Sequence, residues 1–173
     1  MNESLLMVLL RLIHIISGVF WVGTVFVLAW FLMPTQRATG MAGLTFVEEL
    51  MLHKKLRVYL ILTMIFTILS GLSMYARAIM ITHGEWASST MARVLGFGAL
   101  CGIVAGGIGA SSGKRMGMKM VALAEAIRGS GGSPSAEQQA ELDALQNKAA
   151  AEMKLVAALL VIAVAAMASA RYM

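Results

Sequence analysis

The sequence predicts an all-α fold: a four-helix transmembrane bundle, with helices 3 and 4 extended as a cytoplasmic helical hairpin. Three observations predict it. The chain of 173 residues is 59% hydrophobic and only 13% charged, where ordinary soluble domains carry about 25% charged residues. It holds four apolar runs near the ~20 helical residues that cross a ~30 Å hydrocarbon core. Its basic residues flank those runs instead of interrupting them, which is the distribution of a membrane protein and not of a nucleic-acid binder, in spite of the net charge of +5.

The spans are read at about 5–33, 56–81, 94–113 and 149–170, all in one integral membrane domain covering 1–173, with the cytoplasmic extension at about 114–148. The first run starts at Leu5 and is closed by Pro34. Its N-terminal "MNES" has no positive n-region, and no small-residue cleavage site follows closely, so the run reads as a helix that stays and not as a signal peptide. The third run carries seven glycines in "GFGALCGIVAGGIGASSG". Gly98, Gly102 and Gly106 recur every four residues, a spacing that lets helices approach closely. Helix packing, a homo-oligomer through helix 3 and a flat cofactor face all remain open for this stripe. The fourth run is interrupted early by Glu152 and Lys154, and Glu152 has Lys148 and Lys154 within reach on its own helix.

Between the third and fourth runs, "KRMGMKMVALAEAIRG" keeps helical composition, "GSGGSPS" breaks it, and "PSAEQQAELDALQ" restarts with Ser135 three residues before Gln138, a capping box. The resulting hairpin reads as a solvated stalk or as a docking surface for another subunit. Ten of the 14 Lys and Arg residues fall on the side of the 1–2 and 3–4 connections. Positive-inside reasoning therefore places those connections in the cytoplasm and both termini outside, with a bacterial inner membrane as the expected location.

Cys101 is the one cysteine, and no CxxC or Cys/His zinc spacing occurs. Met116, Met118 and Met120 in "KRMGMKM" do not share a helix face and lie in a cationic segment, a poor copper site. There is no P-loop, no strand-borne GxGxxG and no Ser-His-Asp set. No acidic residue occurs deep in helices 1 to 3, against a proton-relay transporter. Whether the chain is an enzyme is left open.

Three histidines remain. His53, in "HKKLR", reads as interfacial, and His83, in "ITHGEW", as a loop residue near the outer end of helix 2. His14 lies inside the first run, where an ionisable ring is costly unless it has a partner. Arg11, Gly18 and Trp21 fall near its face and Ser17 beside it. Gly18 is expected to leave space next to the imidazole and Trp21 to wall it. This suits either a histidine hydrogen-bonded to a neighbouring helix or one that holds a tetrapyrrole. Arg11, Arg77 and Arg93 are expected near the same outer edge on three helices. They read either as headgroup anchors or as partners for carboxylates such as haem propionates.

The segment "LLRLIHIISGVFWVGTVFVLAWFLMP", with His14, Trp21 and Gly23 in an H-x6-W-x-G pattern and a closing proline, resembles the first helix of the copper-resistance protein D membrane domain family and the related four-helix, haem-binding protoporphyrinogen oxidases. The motif covers some 25 residues. The resemblance implies a membrane four-helix bundle, haem b on His14, and redox or copper-linked roles; of these, electron transfer or tetrapyrrole-linked redox chemistry is the function expected here. Helices 3 and 4 contain no histidine, so a second axial ligand would be His83 or a methionine of outer helix 2, Met74 or Met80; a haem on His14 alone, or no haem, is the alternative. The other class of function the sequence allows is a non-catalytic structural or assembly subunit of a larger membrane complex.

Overall fold

The computed structural model describes residues 3–173, and among them there is no strand. Helix α1 (Glu3–Val27) passes through a π-helical turn (Leu28–Leu32) into α2 (Met33–Ala38). After it come α3 (Gly40–Glu48), a second π turn (Glu49–His53) and α4 (Leu56–Ile81). A 3₁₀ turn (Glu85–Ser88) leads into α5 (Thr90–Gly129), and α6 (Ala136–Ser169) ends in a 3₁₀ turn (Ala170–Tyr172). Four helical stretches are long and apolar enough to cross a membrane: Glu3–Ala38, Leu56–Ile81, Thr90–Gly129 and Ala136–Tyr172. Their apolar side chains mostly face outward: Ile16 is 67% exposed and Val19 is 70% exposed. A surface of that kind requires lipid around it.

Pro34 does not close the first helix. A mid-helix proline normally loses one backbone hydrogen bond and clashes one turn back. Here the π turn resets the hydrogen-bond register just before it, with the Met33 amide bonded to the Leu28 carbonyl, and Pro34 falls in the first turn of α2. That position tolerates a residue without an N–H. The capping box at the start of α6 is formed as expected. The Ser135 hydroxyl accepts from the Gln138 amide, and the Gln138 side chain accepts from the Ser135 amide.

The four long helices stand in a ring. α1 packs on α4 and α5 on α6, and the pairs meet along α1–α6 and α4–α5; among the described residues the diagonal pairs α1–α5 and α4–α6 bring no Cα atoms within 8 Å of each other. One core cluster joins Trp21, Val25 and Ala29 to Ala105, Val156, Ala157 and Leu160. Gly98 lies against the Ala163 carbonyl and Ala166, and Gly106 against Met64. These two glycines therefore serve close helix packing on two different neighbours.

A second cluster lies at the far end of the α5–α6 hairpin, where Leu44 of α3 is buried with Leu123, Ile127 and Leu142. Arg128 also donates to the Glu48 carboxylate, at 3.0 Å. The hairpin is thus no bare solvated stalk: the chain's own 1–2 connection folds as helix and covers one of its faces. Gly40 makes the turn into α3 at a φ of 56°, a conformation open to glycine.

Candidate functional site

His14 sits where α1 crosses α4. Its Nδ1 lies 2.8 Å from the Thr67 carbonyl oxygen. A carbonyl only accepts, so Nδ1 carries the proton and donates, and Nε2 holds the free lone pair. The ring occupies a notch made by Gly71. A Cβ at that position would come within 2.8 Å of His14 Cε1 and 3.0 Å of Nδ1. No hydrogen-bond partner engages Nε2 among the described residues, and the atom is not sealed in the interior.

Hydroxyls surround the ring. Ser17 Oγ lies 2.5 Å from the Ile13 carbonyl and 2.8 Å from Thr67 Oγ1, which itself lies 2.7 Å from the Thr63 carbonyl. Each hydroxyl has one proton, so at any instant one of them bridges the helices while the other bonds back along its own helix. Ser70, only 4% exposed, returns its proton to the Phe66 carbonyl at 2.5 Å and sits 3.5 Å from Nδ1. Gly71 and the Ser70 and Thr67 hydroxyls belong to this site, and the sequence reading missed all three. "TILSG" carries a period-of-three polar signal on helix 2 that could have found them.

The other expected site residues are placed differently. Gly18 does not open a gap beside the imidazole: a Cβ there would meet the Thr67 methyl at 3.5 Å, so Gly18 belongs to the helix crossing. Trp21 is 5% exposed and packs in the central core with Leu160, so it is not a wall for His14. Arg77 bonds Glu3 at 2.6 Å and leaves its buried Nε without a partner. Arg11 and Arg93 are exposed, and no contact gathers the three guanidinium groups. An acid of the chain's own first turn thus takes Arg77.

His83 is exposed in the turn after α4, at a φ of 50°. That is at least ~15 Å along the helix axis from Gly71, so His83 does not reach His14. Met74 lies one turn from Ser70 on α4. Since α4 itself presses on the imidazole through Gly71, it cannot also face His14 across a macrocycle. Neither residue is placed as a second ligand. Among the described residues no group of three His, Cys, Asp or Glu side chains could hold a metal ion. The donor set at this site is one imidazole, pinned at Nδ1 and open at Nε2. That is how a ligating histidine is held, its second nitrogen oriented by a carbonyl, and in this respect the residues fit a haem axial ligand.

A separate cavity of about 530 Å³ lies between the two helix pairs on the hairpin side of Trp21. It runs along α5 from Ala105 to Glu125, and its walls are mainly apolar, including Met33, Met64 and Met153. His14 does not line it. No family model matches the chain, and neither a characterised protein nor a solved structure shows significant similarity to it.

Proposed function

We propose that this chain is a small integral membrane haem b-binding protein, active in electron transfer or tetrapyrrole-linked redox chemistry, with its hairpin end in the cytoplasm and both termini outside. The observation that carries the reading is the His14 imidazole, donating from Nδ1 to the Thr67 carbonyl and leaving Nε2 free. A bound haem would supply one-electron chemistry, and His14 is the residue that would hold it.

What the chain's own residues do follows from that geometry. Thr67 fixes the tautomer and raises the basicity of Nε2. Gly71 lets α4 approach the Cε1–Nδ1 side of the ring and keeps it in one orientation. Ser17 and Ser70 satisfy the polar groups around it at membrane depth, where an unpaired group is costly. His14 is the one residue of this site that would hold the haem iron.

The test is an absorption spectrum of the purified protein. A Soret band that disappears in His14→Ala, while helicity is retained, is the expected result. A colourless, folded protein that co-purifies in fixed ratio with other membrane proteins overturns it. That outcome supports the second reading, a non-catalytic subunit of a larger complex. The observation favouring that reading is Gly107, exposed on α5 with nothing within 4 Å of where a Cβ would stand.

A further inference from the structure

The central cavity carries a charge arrangement that the haem reading does not use. Gly106 abuts Met64 of α4, and Gly109 meets Val156 of α6. Because α4 and α6 both run antiparallel to α5, moving on to Gly113 reaches Arg57 on α4 and Glu152 on α6. These three residues therefore share one level. α4 and α6 occupy opposite corners of the ring, with no Cα atoms within 8 Å of each other, and nothing lies within 4 Å of a Cβ at Gly113. Arg57 and Glu152 both line the cavity, and neither has an ion-pair or hydrogen-bond partner among the described residues. The expected pairing of Glu152 with Lys148 or Lys154 is absent. Lys114 and Arg115 follow Gly113 directly in the chain, marking this as the headgroup level at the end of the apolar run.

The two remaining acids of the cavity lie elsewhere. Glu48 is held by Arg128, and Glu125 is ~18 Å further along α5. At the level of Gly113 the cavity thus presents one cation and one anion across a gap. On the membrane side its walls are Met64, Gly106, Trp21 and Val156, long and apolar.

We propose that this cavity binds one phospholipid with a zwitterionic headgroup ending in a primary ammonium. Its phosphate sits on Arg57, its ammonium on Glu152, and one hydrocarbon chain runs between Met64 and Trp21. Arg57 offers a forked donor for phosphate oxygens. Glu152 accepts from an ammonium N–H, which a choline headgroup lacks. The paired signs select against anionic lipids, which a purely basic surface would favour.

The test uses the full-length protein in bilayers of phosphatidylcholine doped with phosphatidylethanolamine or phosphatidylglycerol, reading retained lipid by native mass spectrometry. One phosphatidylethanolamine per chain is expected, preferred about tenfold over either competitor. Arg57→Gln and Glu152→Gln each bring the preference to within about twofold. The exchange Arg57→Glu with Glu152→Arg restores it, and decides the matter should a single variant lose helicity. Absence of any preference in the wild type, a phosphatidylglycerol preference that survives Glu152→Gln, or an exchange that restores nothing overturns the proposal. The lipid readout does not depend on colour, so it stands or falls apart from the haem reading.

Discussion

The two helix pairs of the ring are joined by opposite chemistries. Between α1 and α4 the contact is polar, with His14 on the Thr67 carbonyl and Ser17 on the Thr67 hydroxyl. Between α5 and α6 it is steric: Gly98 lies under the Ala163 carbonyl, Ala105 and Ala157 are buried, and further on Ile127 meets Leu142. A steric seam depends on volume and tolerates few additions. A polar seam fixes register through directed bonds that contribute modestly each, because the separated helices also find partners. The α5–α6 pair therefore carries the stability, while α1–α4 holds a ring in a defined pose.

The strongest challenge to that division is Gly98→Leu. A Cβ there already meets the Ala163 carbonyl oxygen at 3.1 Å, so a leucine should wedge the pair apart and cost about 3 kcal/mol, read as a loss of thermal stability in detergent. Ile127→Ala removes a fully buried side chain at the hairpin end and should cost a similar ~3 kcal/mol. Protease cleavage in 40–55 should rise as α3 lifts off, with the His14 region unchanged.

Gly71→Ala comes next. Its Cβ would press the imidazole at 2.8 Å, so the ring must turn. About 1–2 kcal/mol of stability should be lost, and any Soret absorbance should fall more than stability does. If Gly71→Ala weakens stability as much as Gly98→Leu yet spares the spectrum, the division of labour is wrong. Ser17→Ala should cost only ~0.6 kcal/mol, visible as a small shift in the unfolding midpoint. The smallest change expected is Glu3→Gln: Glu3 is 80% exposed, and its pair with Arg77 should shift stability by less than ~1 kcal/mol.

The four spans were legible because length and hydropathy decide them almost alone. The cap at Ser135 was legible because it is local chemistry in four residues. The rest failed for one reason: it depends on which helix faces which. Gly18 and Gly71 are both glycines near an imidazole, and only the pairing of α1 with α4 says that Gly71 makes the notch. Arg77 reads as a free cation until the fold brings Glu3 to it. Trp21, seven residues from His14, is on the same helix face in sequence, yet it packs two turns away in a different core. The helices of the 1–2 connection were hidden behind basic residues that scored only as topology signals. Their apolar face, Met41 and Leu44, makes sense only opposite Leu123 and Ile127.

The π turn at Leu28–Leu32 has a consequence for how this chain can change its length. One residue fewer there would only tighten the turn to α-helix, because the wider turn absorbs about one extra residue; one residue fewer in the regular part of α1 would swing everything after it by about 100°. Every span would keep its hydropathy, but Gln36, now 6% exposed, would leave its place in the interior, and α3 would be steered off the hairpin. A single deletion in α1 before the π turn therefore separates insertion into lipid from the packing of α3 on the hairpin, whereas the same deletion within the turn is absorbed.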